Sequence, residues 1–189
     1  MPYVISKVYT KNIRTGILVI SVLFLFFGDT AMIFEWIDYS AEYAALIDSW
    51  LDDSAIVMTG IDEGWDNYWN AVLIDALNFP GCVDYCKVVY TDGKPIAVVA
   101  FGYYRGDVTI SEIIISPEMR SKGYGTEILK ELVCLSRIWF PEPISRFSAI
   151  VFAQNIASQK AFQNAGFQKQ MLPDGVTFEY LRLEPNPSC

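Results

Sequence analysis

The residues with the most chemistry to offer lie in one stretch, Ile113-Ile-Ile-Ser-Pro-Glu-Met-Arg-Ser-Lys-Gly-Tyr-Gly-Thr126. An apolar strand pattern passes through a short polar loop into an amphipathic helix pattern. Gly123 and Gly125 let backbone N–H groups turn towards one point without Cβ obstruction, and the helix start adds about half a positive charge aimed at the same place. This is anion-binding chemistry suited to a pyrophosphate, with Arg120 and Lys122 as positioned cations. On this loop alone a plain strand-to-helix turn, basic and exposed, remains open. The loop lacks the Gly-Lys-Ser/Thr ending of a Walker loop, and two glycines without a βαβ rhythm do not make a dinucleotide fingerprint.

Other candidates are single residues. Glu112 is a carboxylate inside an apolar strand run, costly there unless paired or useful, and so a candidate base; a solvated, edge-facing Glu is the alternative. Asp62, Glu63 and Asp66 stand among Trp65, Tyr68 and Trp69, a mixture able to hold an ammonium by charge and cation–π contact, or simply helix-capping acids beside core aromatics. The chain has no histidine, which removes the commonest general base, the commonest metal ligand and every Ser-His or Cys-His nucleophile pair. Four cysteines, Cys82, Cys86, Cys134 and Cys189, lack a second close pair for zinc and read as reduced thiols, with a Cys82–Cys86 disulfide as the alternative. No metal is expected.

These residues must be positioned by an α/β (α+β) domain with a mixed, largely antiparallel sheet flanked by helices. Residues 32–37 read as a strand with Phe34 and Trp36 on one face, and Asp38 or Ser40 can cap a helix through Trp50. A loop around 59–64 precedes a second helix over 65–77. Strands at 85–91 and 95–104 are joined by Asp92-Gly93, a hairpin-turn pair, and a third strand covers 108–116. A helix over 126–140 stops at Pro141 and Pro143. A strand at 147–153, a helix at 157–164 ended by Gly166, and strands at 167–171 and 176–183 complete the order.

A second motif follows the first, Asn155-x-x-Ser158-x-x-x-Phe162-x-x-x-Gly166-Phe167. Together with Arg120-x-x-Gly123-x-Gly125 after Ile-Ser-Pro-Glu, it resembles the cofactor-binding segments of the GNAT (GCN5-related N-acetyltransferase) family. The resemblance covers roughly residues 32–183. It implies a GNAT-like fold in which the strands at 108–116 and 147–153 splay around the cofactor's arm, and an N-acetyltransferase that uses acetyl-CoA as cosubstrate. The implied cofactor residues are Ile114, Ile115, Arg120, Ser121, Lys122, Gly123, Tyr124, Gly125 and Thr126, with Asn155, Ser158 and Phe162 flanking the pantetheine. Asp62, Glu63 and Asp66 fall where the family places acceptor-binding elements. The implied reaction is direct attack of a neutral amine on the thioester, with a backbone N–H near Ile115 on the oxyanion; Glu112, from its place in the strand, is the candidate base, directly or through water. Many members carry a tyrosine acid where this chain has Phe162. Tyr103 and Tyr104 are candidate substitutes, and a catalytically weak or inactive acyl-CoA-binding module is the alternative function.

Residues 1–31 stand outside the resemblance and read as an apolar extension before a domain over 32–189. Lys7, Lys11 and Arg14 precede an apolar run from Gly16 to Phe27, too short to span a bilayer and without a good cleavage site. A start at Met32, a membrane-associating leader or an extra buried strand are the competing readings, the first being preferred. The chain has 189 residues, 52% hydrophobic, and its net charge of −8 opposes nucleic acid and anionic membranes as partners. The charge favours a cationic amine acceptor. The expected location is cytoplasmic, and a homodimer is compatible with the pattern.

Overall fold

The computed structural model describes residues 6–11, 18–23, 32–140 and 142–183. Strands β1 (Ser6–Lys11) and β2 (Leu18–Leu23) pair antiparallel in a hairpin separate from the main sheet. The apolar run expected at 16–27 thus holds a strand over 18–23, while its ends lie outside the described residues. Among the described residues no helix is long and apolar enough to cross a membrane.

Seven further strands follow: β3 (Glu35–Asp38), β4 (Val83–Thr91), β5 (Lys94–Tyr104), β6 (Asp107–Ile115), β7 (Arg146–Phe152), β8 (Gln168–Met171) and β9 (Thr177–Leu183). They form one sheet in the order β3-β4-β5-β6-β7-β9-β8. Every neighbouring pair is antiparallel except β6 and β7. The exception follows from the connection, since helix α4 (Tyr124–Trp139) lies between β6 and β7 and returns the chain to the same end of the sheet. Asp92 and Gly93 both take positive φ, 51° and 70°, as the expected hairpin turn requires.

Helix α4 and helix α5 (Ile156–Asn164) cover one face. Ile128, Leu129, Leu132, Val133 and Leu135 of α4 are buried there, each contributing about 1.5–3 kcal/mol. The other face is covered by α1 (Ala44–Asp48), preceded by a 3₁₀ turn over Ala41–Tyr43, and by α3 (Trp65–Ala76). Ile47, Trp50, Trp65 and Trp69 fill this second core, against Cys86, Val98, Ala100 and Ile114 of the sheet. Phe34 and Trp36 are both buried, as their alternation predicts, although the strand begins at Glu35 rather than Met32.

Two elements differ from expectation. The helix predicted through Trp50 ends at Asp48, and a helix absent from the sequence reading, α2 (Asp53–Thr59), follows it. It contains no buried residue, so hydrophobic periodicity could not reveal it. Its caps could have done so: the Asp52 carboxylate accepts the Ala55 N–H at 2.9 Å, and Gly60 closes the helix in the left-handed conformation at φ 74°. Cys82 and Cys86 are both free thiols, so no disulfide joins them.

Candidate active site

The site begins with one extra residue. Opposite β5, Phe101 pairs with Ile110 and Ala100 with Glu112, leaving Ser111 as a β-bulge. Before the bulge, Val108 and Ile110 face the α4 core; after it, Ile113 and Ile115 face that side and Ile114 faces the α1–α3 core. Glu112 turns with Ile114 towards α3. On the other edge, β6 pairs with β7 only from Asp107–Ile110 to Arg146–Ala149, and beyond this the strands diverge.

The ladder fixes what the open edge presents. Ser116 N donates to Ile96 O at 2.8 Å, so alternation turns the backbone groups of Ile114 towards β5 and those of Ile113 and Ile115 towards the gap. Of the two strand residues the sequence assigned to the cofactor, Ile115 reaches the gap. Ile114 points the other way in backbone and side chain, and Ile113 takes its place.

At the top of the gap, Gly123 caps α4 at φ 88°, a conformation that favours glycine, and Ser121 also takes positive φ, 62°. The helix begins two residues earlier than predicted. Among the described residues the N–H groups of Ser121 to Gly125 have no backbone acceptor, whereas Thr126 N donates to Gly123 O at 3.0 Å. A Cβ on Gly125 would lie 3.6 Å from the Ala161 Cβ, so α4 and α5 approach closely here. Between them runs a groove of about 660 Å³, whose walls include Ile113, Ile115, Ser121, Gly123 and Lys160.

A smaller cavity of about 110 Å³ adjoins it, with Met58, Thr59, Ser111, Glu112, Ile150 and Phe152 in its wall. Ile113, Ser158 and Phe162 line both spaces and mark their junction. Burial pushes the Glu112 carboxyl up to about 8. Burial raises the Tyr68 phenol as well, and the charge of Glu112 beside it adds to the effect. Asn155 caps α5, its side-chain oxygen accepting Ser158 N–H at 3.0 Å, and also lines the smaller cavity. Phe162 is buried against Phe167 and Tyr180 and presents no hydroxyl.

The remaining candidates separate from the site. Arg120 stands in the groove wall, yet its guanidinium donates to Ile115 O at 3.1 Å, Trp50 O at 2.6 Å and the Asp52 carboxylate. Lys122 is exposed and outside the groove wall, while Lys160, which the sequence reading missed, lies in it. The signal was the recurrence of Ala157, Lys160, Ala161 and Asn164 at helical spacing. Asp66 accepts the Tyr39 hydroxyl at 2.9 Å, and neither it nor Asp62 or Glu63 lines either space. Tyr103 donates to Glu142 at 3.0 Å and Tyr104 lies against Arg105, so neither reaches the junction as a substitute acid.

The sequence matches the model of the Acetyltransferase (GNAT) family over residues 41–167, two thirds of the chain and both motif segments. The chain belongs to the GNAT acetyltransferase family. No curated protein matches the sequence significantly. Solved GNAT-type structures share its architecture. An acetyltransferase from Thermus thermophilus superimposes with a TM-score of 0.61 at 16% identity, covering 80% of this chain and 97% of the other. The aminoglycoside acetyltransferase AAC(6')-Ib, solved with coenzyme A, gives 0.62 at 17% identity over 79% and 94%. A spermidine N-acetyltransferase chimera of the Vibrio cholerae enzyme and hSSAT gives 0.59 at 12% identity over 79% and 95%. At such identities the likeness is one of fold. The divergence of β6 and β7 beyond Ile110 and Ala149 agrees with the splaying the resemblance implied.

Proposed function

We propose that this chain transfers an acetyl group from acetyl-CoA to a primary amine by direct attack. The observation that carries the reading is the junction at Ile113, Ser158 and Phe162, where a groove running from the unpaired amides of the α4 N-terminus meets a cavity walled by Glu112. The amides from Ser121 to Gly125 hold the pyrophosphate, supported by the helix dipole and by Lys160. The pantetheine arm lies along the backbone of Ile113 and Ile115 like an added strand, with Asn155 and Ser158 on its other side.

At the junction the thioester carbonyl meets the Ile113 N–H, the open-edge amide next to Glu112, which stabilises the developing oxyanion. The Glu112 carboxylate removes a proton from the attacking ammonium, directly or through water. The new C–N bond forms as the C–S bond breaks, the sulfur takes the electron pair, and the nitrogen loses its second proton to water. Phe162 offers no proton, so the thiolate leaves as an anion and is protonated from solvent; with a thiol pKa near about 8.5, departure at neutral pH is feasible.

The comparison proteins named for aminoglycoside and spermidine acetylation, together with the acidic charge, point to a cationic amine acceptor. Phe162 also keeps a second reading in view, an acyl-CoA-binding module with weak or no turnover. Thiol release separates the two. The full chain is incubated with acetyl-CoA and, in turn, spermidine, kanamycin, simple monoamines and peptides. Amine-dependent release with acetylated product supports the transferase, whereas tight acetyl-CoA binding without release for any amine supports the binding module.

A further inference from the structure

We infer that Asp52 and Arg120 form a positioning pair that makes helix α2 follow the state of the cofactor loop. The inference rests on the acetyl-CoA reading above and concerns how the acceptor wall is assembled.

Helix α2 supplies Met58 and Thr59 to the wall of the smaller cavity, yet none of its residues is buried. Partial burial of Ala55, Ile56 and Met58 holds it only loosely. Its N-terminus is fixed through Asp52, whose two carboxylate oxygens do different work. One accepts Ala55 N–H and caps the helix, and the other accepts the Arg120 guanidinium. The cap, and then Arg120, hold the Asp52 carboxyl below its ordinary range.

Arg120 ties three places together: the end of β6 at Ile115 O, the chain leaving α1 at Trp50 O, and α2 through Asp52. It directly precedes Ser121, which adopts positive φ without being glycine and lines the groove. A strained residue of this kind persists where its neighbours are held. An anion bound to the amides of Ser121 to Gly125 holds this loop further, and with it the guanidinium and α2. Cofactor binding thus sets the acceptor wall, and the same linkage works in reverse. Arg120 therefore acts through Asp52 and the loop, not as a phosphate ligand.

Hydrogen–deuterium exchange of the full chain with and without CoA tests the coupling. In the wild type CoA slows exchange at 121–126 and also at 53–59. Asp52→Asn keeps a capping oxygen but removes the charge facing Arg120. In this variant protection at 121–126 persists, while the CoA-induced slowing at 53–59 falls about threefold or more, in keeping with a half-exposed ion pair. Arg120→Lys, which keeps the charge but loses the fork, gives the same loss at 53–59. A role confined to stabilising α2 alters its exchange without CoA and leaves the CoA-induced ratio intact. That outcome, or a wild-type α2 indifferent to CoA while the loop responds, overturns the inference. Failure of CoA to protect 121–126 overturns the cofactor reading and this inference with it.

Discussion

Glu112 and Phe162 line the same small cavity with opposite properties, one a carboxyl that burial makes basic, the other a ring with no proton to give. With its carboxyl near 8, Glu112 is mostly protonated at pH 7. The expected kcat/KM therefore rises about tenfold per pH unit below that value and levels above it, and Glu112→Gln lowers it by about 10²-fold or more with the upward limb lost. Steady-state rates from pH 6 to 9 check both. Phe162→Tyr, which places a hydroxyl at the junction, is expected to raise kcat severalfold if departure of the thiolate limits turnover; single-turnover thiol release measures it. Glu112 stands out as a candidate because a carboxylate in an apolar run is anomalous. Arg120's contacts to Trp50 O and Asp52 were not legible, because these partners lie on a segment whose helix gave no hydrophobic signal. The contact of Asp66 with Tyr39 was not legible, because that hydroxyl comes from outside the local window.

At the scale of elements, the site is a loop between a bulged strand and a well-buried helix. Gly123 has open space where a Cβ would lie, so its glycine is required by φ rather than by crowding. Gly123→Ala is therefore expected to cost about 1–2 kcal/mol of backbone strain, while Gly123→Asp also places a carboxylate at the proposed pyrophosphate position and weakens CoA binding by about 10²-fold or more. Calorimetric titration of both variants, with thermal melts as a control for folding, distinguishes strain from charge. The strands and the two later helices were legible because apolar residues alternate or recur at three and four. The bulge at Ser111 was not, since a single extra residue changes no composition, yet it turns Glu112 to the α3 side of the sheet. The side-chain period of two means that one residue reverses every later position on β6.

For the whole molecule, the same buried carboxyl links folding to pH. Its ordinary value is 4.5 and its folded value about 8, so between these the folded state binds the proton more tightly. Its contribution to stability is greatest at low pH and declines as pH rises through that window. Glu112→Gln is thus expected to gain stability relative to the wild type from pH 5 to pH 9, by about 1–3 kcal/mol once water at the cavity wall is allowed for. Urea unfolding at both pH values gives the difference. The mixed, largely antiparallel sheet expected from the sequence pattern matches the observed order, whereas its one parallel pairing and the pairing of 6–11 with 18–23 were not anticipated.

The most direct test of the central claim is calorimetric titration of the full chain with acetyl-CoA, alongside CoA lacking the acetyl group and pantetheine lacking the pyrophosphate. The account predicts one saturable site for both CoA forms, with pantetheine at least about 10²-fold weaker because the amides of Ser121 to Gly125 lose their anion. Equal affinity for pantetheine and CoA, or no binding of either CoA form to the folded chain, would contradict it.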